Sequence, residues 1–279
     1  MSTTATSLII GPRTFVWGER TYLMGVVNTS LDSFSNDGVG DAAAAVERAK
    51  RMIEEGADII DVGGQSTRPG FEELAPEEEI RRVVPVIERL VRETDAPVSV
   101  DTYKAPVAKA ALEAGAHLVN DIWGFRCDRG VAELCVEFGV PAVVMHNQRG
   151  REYHDVIADV RTGLEESIAI ADDVGLARER LIVDPGFGFG WTPEQNIEML
   201  RRLSELGDLG LPMLLGTSRK SAIGAVLDDA PPEDRLLGTA ATMALAVAAG
   251  VDIVRVHDVA AMRDVVRVAD AVVRGWRQA

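Results

Sequence analysis

Residues able to do chemistry collect directly behind short apolar runs. The runs span 23–27, 59–62, 98–101, 118–120, 142–146, 181–183, 213–215 and 253–256. Behind the first comes Asn28-Thr29-Ser30, and behind the second Gly63-Gly64-Gln65-Ser66-Thr67-Arg68-Pro69-Gly70. The third ends in Asp101-Thr102, the fourth in Asn120-Asp121 and the fifth in Met145-His146. The sixth leads into Asp184-Pro185-Gly186-Phe187-Gly188-Phe189, the seventh into Gly216-Thr217-Ser218-Arg219-Lys220-Ser221, and the eighth carries Arg255-Val256-His257-Asp258. Two chemistries separate. Arg68, Lys220, Arg255 and His257 suit an anion such as phosphate, for which Arg offers a planar fork and Lys a point charge. Asn28 beside them could ligate a hard cation such as Mg2+, which shares oxygens with substrate phosphates. Asp101, Asn120 and Asp184 form an acceptor-rich set on the other arc, suited to the N–H edge of a flat, nitrogen-rich ring. Taken singly, each has a plainer reading: Arg68 in a surface ion pair, Asp184 as a helix-capping carboxylate.

The elements that must position these groups are legible too. None of the eight runs alternates with polar residues, the habit of strands buried on both faces. Helical patterns fill the gaps at 41–55, 75–92, 105–114, 131–138, 155–174, 193–206, 234–249 and 258–274. Asp41 is the expected N-cap of the first, and Pro76 opens the second ahead of three Glu. In the last, Val259, Met262, Val266, Ala269 and Val273 share one face. Most of these patterns stop at a Gly, as αβ turns require. Eight βα units predict an α/β (β/α)8 barrel, spanning about 22–275 and preceded by a hairpin at 7–17 turned at Gly11-Pro12. All 279 residues read as a single domain. An open doubly wound sheet is the competing fold, but it calls for fewer strands and one dominant Gly-rich fingerprint. In a barrel, the polar residues behind the strands share one mouth, the face where such folds place their active sites.

Composition narrows the function classes. With 47% apolar residues the chain can bury a core, which excludes disorder as a description of the whole. The net charge of −15, without a basic stripe, argues against nucleic acid. Cys127 and Cys135 form neither a disulfide framework nor a zinc site, which suits a reducing cytoplasm. No segment reads as a signal peptide, and none approaches the ~20 apolar residues of a membrane span.

The motifs, in order on the expected strands, resemble the dihydropteroate synthase family, a pterin-binding barrel family and sulfonamide target. The resemblance runs from Met24 to about Met262. It rests on Met24-Gly25-Val26-Val27-Asn28-Thr29 with Asp32-Ser33-Phe34-Ser35, and on Asp61-Val62-Gly63-Gly64-Gln65-Ser66-Thr67-Arg68-Pro69-Gly70. Ser99-Val100-Asp101-Thr102, Asn120-Asp121-Ile122, Asp184-Pro185-Gly186-Phe187-Gly188-Phe189, Ser218-Arg219-Lys220-Ser221 and Arg255-Val256-His257-Asp258 complete it.

The resemblance implies a folate-pathway condensation of dihydropterin methyl pyrophosphate with p-aminobenzoate. Asp101, Asn120, Asp184 and Lys220 would hold the pterin. Asn28, Arg68, Arg255 and His257 would hold the pyrophosphate, with Mg2+ near Asn28 and Asp32. Thr67, Pro69, Phe34, Phe189, Lys220 and Ser221 would shape the aminobenzoate slot. Arg68, Lys220, Arg255 and His257 would carry the catalysis, and the loops at 28–40 and 63–74 would close over both substrates. A homodimer through the C-terminal helices is also implied. Leu31 stands where the family usually has Pro, and Asn147-Gln148-Arg149-Gly150 replaces a Met-Arg-Gly run. Three other readings compete: a pterin-binding methyltransferase domain, a non-catalytic pterin-binding paralogue, and a barrel for another phosphorylated metabolite.

Overall fold

A computed structural model describes residues 7–29, 39–65, 73–150 and 152–276 of the chain. The hairpin β1 (Ser7–Ile10) and β2 (Arg13–Val16) comes first. Eight parallel strands follow: β3 (Tyr22–Asn28), β4 (Ile59–Gly63), β5 (Val98–Asp101), β6 (Leu118–Asp121), β7 (Ala142–Met145), β8 (Leu181–Asp184), β9 (Leu214–Leu215) and β10 (Ile253–Val256). They lie side by side in the order β8-β7-β6-β5-β4-β3-β10-β9. A parallel bridge between Val183 and Met213, just ahead of β9, closes the ring. The chain is therefore a (β/α)8 barrel with an N-terminal antiparallel hairpin, as its alternating runs predict.

Period-2 geometry divides each strand between two environments. Leu23, Val27, Ile60, Val62, Val98, Val100, Val119, Val144 and Val254 pack outward in one large cluster with the helices. Met24, Ile59, Leu118, Val143, Ile182, Leu214 and Ile253 pack inside the ring. The hairpin's Leu8, Ile10 and Phe15, together with Trp17, join this inner cluster and plug the barrel's N-terminal end. Burying an aromatic such as Phe15 stabilises the fold by about 2–3 kcal/mol. Two residues further along the same inward rows stand Asp61, Asn120, Asp184 and Arg255, with Asp101 two beyond the buried Ser99. Strand parity thus stacks a polar layer on an apolar floor.

The helices are α1 (Val39–Glu55), α2 (Pro76–Glu93), α3 (Ala105–Glu113), α4 (Gly130–Phe138), α5 (Val156–Val174), α6 (Pro193–Arg201), α7 (Ser221–Val226), α8 (Leu236–Ala248) and α9 (Val259–Val273). Four details differ from the sequence reading. Asp41 lies in the first turn of α1, not at its N-cap. The helix expected to reach 206 ends at Arg201 and continues as a 3-10 helix, Leu203–Leu209. Leu203, Leu206 and Leu209 recur every third residue, the 3-10 repeat, and all three are buried. The six-residue α7 is too short to show a helical repeat in sequence. Val273 is 47% exposed and does not share the buried face of Val259, Met262 and Val266. No described helix is long and apolar enough to cross a membrane, and Cys127 and Cys135 are unpaired.

Candidate active site

The barrel's C-terminal mouth brings the two sequence-level chemistries into contact. Arg255 reaches from β10 across two neighbouring strands. Its Nε donates to Asp61 Oδ2 on β4 at 2.7 Å, and an Nη donates to Asp101 Oδ2 on β5 at 2.7 Å. Asn120 Nδ2, from β6, donates to the same Asp61 oxygen at 3.0 Å. The expected separation into a cationic and an acceptor-rich arc is therefore corrected: in a closed ring the last strand lies beside the first, and Arg255 stands among the acceptors. Sequence reading gave Asp61 no role. Two signals were available: its place at the head of the 61–70 motif, and its parity, two residues past the inward Ile59.

Charge sets the protonation states. Burial opposes the charge on Arg255, but Asp61, Asp101 and Asp184 outweigh it and hold its pKa above the ordinary value. Burial pushes Asp101 up to about 7, against the pull of Arg255 and with the push of Asp61. Asp101 therefore holds a proton more readily than an ordinary carboxylate.

Lys220 and Asp184 form the second half of the mouth. Asp184 Oδ1 accepts from the Gly186 N–H at 2.7 Å, and burial raises its pKa. Lys220 donates to the Phe187 carbonyl and lies 4.6 Å from the centre of the Phe189 ring. Burial lowers its pKa to about 8, partly offset by Asp184. The loop between them needs glycine. Gly186 sits at φ +81°, where a Cβ would lie 2.0 Å from the His146 carbonyl oxygen. Phe189 packs with Ile122 and Met145, backed by Tyr103 and Trp123, to give an apolar wall beside the polar layer. Sequence reading found Phe189 and missed Ile122 and Met145.

His257 stands at the end of β10 with its Nδ1 3.0 Å from Ser218 Oγ, a contact that fixes the ring's direction. Ser221, exposed, is the first residue of α7. Asn28 is exposed at the end of β3. A Cβ placed on Gly63 would lie 3.6 Å from Asp101 Oδ2 and 3.8 Å from Asn28 Oδ1, so both oxygens border the open face of Gly63. A single exposed amide oxygen fits Mg2+, which keeps several waters and shares substrate oxygens. Among the described residues, no group of three or more His, Cys, Asp or Glu is placed to hold a metal by itself. Phe34, Thr67, Arg68 and Pro69, with Leu31, Asp32 and most of the two expected closing loops, lie outside the described residues.

Just short of 66–72, a buried network joins both flanks. Lys104 Nζ, almost inaccessible, donates to Gln65 Oε1, the Leu74 carbonyl and Glu79 Oε2 at 2.8, 2.6 and 2.9 Å. His146 and His117 are held by contacts away from this cluster, and His154 is exposed. His146 Nε2 meets Tyr153 Oη at 2.9 Å, and burial lowers its pKa to about 3. His117 accepts from the Val98 N–H at 3.1 Å.

Comparison with known proteins agrees with this geometry. Residues 24–257 match the pterin binding enzyme family. The chain is 49% identical over 267 residues to the dihydropteroate synthase of Clostridium beijerinckii, covering 95% of this chain and 99% of that one. A crystal structure of dihydropteroate synthase from Clostridium difficile in the presence of pteroic acid has TM-score 0.90 and 49% identity, over 93% of this chain and 99% of the other. Xanthomonas albilineans dihydropteroate synthase with 4-aminobenzoic acid has TM-score 0.91 and 43% identity, over 96% and 98%.

Proposed function

The chain belongs to the dihydropteroate synthases of the pterin-binding enzyme family, and from that premise we propose how its mouth residues condense dihydropterin methyl pyrophosphate with p-aminobenzoate. The observation that carries the reading is the Asp61–Arg255–Asp101 clamp, with Asn120 on the same oxygen and the Lys220–Asp184 pair close by. Asp101, Asn120 and Asp184 offer acceptors and donors to the pterin edge, and Lys220 closes that side. Arg255, His257, Asn28 and Arg68 take the pyrophosphate. Phe189, Lys220 and Ser221, with Phe34, Thr67 and Pro69, border the aminobenzoate.

The C–O bond from the pterin methylene to pyrophosphate breaks, and its electron pair leaves with the oxygen. The amine nitrogen of p-aminobenzoate then bonds the methylene carbon and sheds one proton. Negative charge grows on the departing oxygen, so preorganised Arg255 and His257 stabilise the transition state more than the ground state. An aromatic amine is already a neutral nucleophile and needs no strong base. Asn28 would hold Mg2+, which when bound supplies further neutralisation of the pyrophosphate charge. The apolar wall of Ile122, Met145 and Phe189 helps keep water from the delocalised cation.

A homodimer through α8 and α9 belongs to the same reading. Leu237, Leu245, Val268 and Val272 are 63–83% exposed on these helices, an unusual display of large apolar side chains. A cytoplasmic setting is supported by the two unpaired cysteines.

The test is pyrophosphate release from the dihydropterin substrate with Mg2+, with and without p-aminobenzoate. Release should require p-aminobenzoate and fall by about 100-fold or more in Arg255→Ala. Pterin binding by calorimetry without release would sink the synthase reading and favour a binding paralogue.

A further inference from the structure

Asp61 is fully buried on β4, and its two oxygens meet different surroundings. Oδ2 accepts from both Arg255 Nε and Asn120 Nδ2. Oδ1 has no hydrogen-bond partner among the described residues. Neither has the buried hydroxyl of Ser99, the residue paired with Asp61 in the β4–β5 register. A buried carboxylate with an unused oxygen costs stability. One layer down, the same inward rows carry Ile59, Leu118, Ile182 and Ile253. An apolar residue at 61 would suit that interior better, so the acid must serve something other than the fold.

Its two contacts say what. The ends of an Asn amide are alike in shape and opposite in polarity. Asn120 Nδ2 donates to Asp61 Oδ2 at 3.0 Å, so the amide end facing Asp61 is the NH2. Asn120 Oδ1 is thereby turned away from Asp61 as an acceptor. The guanidinium is similarly fixed. Nε on Asp61 and Nη2 on Asp101 define its plane, and Nη1 meets no acceptor among the described residues.

We propose that Asp61 is a positioning residue of this reaction: its single oxygen Oδ2 sets which end of the Asn120 amide meets the pterin and the plane in which Arg255 meets the pyrophosphate. The proposal rests on the dihydropteroate synthase reading of the site. Asp61→Asn keeps the shape, removes the acid and introduces an NH2 that can donate to Asn120, which lets that amide turn over.

Four measurements test it: thermal midpoint, calorimetric affinity for 6-hydroxymethyl-7,8-dihydropterin, affinity for inorganic pyrophosphate with Mg2+, and the kcat and KM of pyrophosphate release. The midpoint should not collapse, because Arg255 keeps its hydrogen bond to Asp101 and the buried side chain keeps its shape. Pterin affinity should fall by about 10-fold, and kcat/KM by about 100-fold with most of the loss in kcat. In an Asn120→Ala background, the same substitution should cost less pterin affinity than in wild type. Equal cost in both backgrounds overturns the proposal, as does kcat/KM within about threefold of wild type. A midpoint that collapses in step with activity would make Asp61 a structural residue and also overturn it. Should Asp61→Asn fail to fold, Asp61→Ser is read by the same assays, and failure of both to fold counts against the proposal. If wild type binds pterin but releases no pyrophosphate, the synthase reading fails separately, and the pterin affinities alone decide the role of Asp61.

Discussion

Arg255 shows how a residue gains meaning from its neighbours. Alone, it is a cation at a strand end. Held between Asp61 and Asp101, it is a fork of fixed direction that two carboxylates keep charged. Two nearby groups titrate close to neutrality. Burial raises Asp101 to about 7, and in the proposed role its ionised form is the acceptor for the pterin edge. Burial lowers Lys220 to about 8, and in the proposed role its protonated form is the donor. Activity should therefore rise with pH through about 7 and fall through about 8, giving a narrow bell in kcat/KM. Lys220→Arg stays charged, so its profile should lose the descending limb up to at least pH ~9.5, whatever happens to its amplitude. An unchanged descending limb would assign that limb to another group.

At the scale of elements, the site depends on strand parity and on a few backbone positions that side chains cannot occupy. The inward rows place Asp61, Asn120, Asp184 and Arg255 in one layer because each lies two residues beyond an apolar inward residue. The turn after β8 then folds back over this layer through Gly186 and Gly188, both at positive φ. Gly188 lies against the Lys220 stem, where a Cβ would come within 2.7 Å of Cδ. Gly186→Ala adds a left-handed residue and a clash with backbone, which has no rotamer to yield. Its thermal midpoint should fall by about 5 °C or more, and pyrophosphate release should fall with it. A variant as stable as wild type would show that the turn relaxes without cost.

At the scale of the molecule, the two ends of the barrel do different work. The hairpin seals the N-terminal end with Leu8, Ile10, Phe15 and Trp17, leaving the C-terminal mouth as the place for polar groups. The exposed apolar side chains of α8 and α9 lie on the outer face, apart from that mouth. If they form the proposed dimer, Leu237→Glu, at a side chain 83% exposed, should halve the particle mass measured by light scattering. A wild type that is already monomeric at micromolar concentration would remove the dimer from the reading.

The sequence by itself determined the barrel, the hairpin and the ring of candidate groups. Strand burial and the polar residues behind each strand are local signals repeated eight times, and most of the helical patterns add a glycine stop. Asp101, Asn120, Asp184, Lys220, Phe189, Arg255 and His257 were all legible as mouth residues for that reason. Tertiary structure decided which of them touch. Ring closure sets the last strand beside the first, so Arg255 meets Asp61 and Asp101 across 194 and 154 residues of sequence. It also decided that Asp61 takes part, that Ile122 and Met145 form the wall, and that Lys220 and Asp101 titrate near neutrality. Contact, burial and charge balance depend on distances through space, and no spacing along one strand contains them.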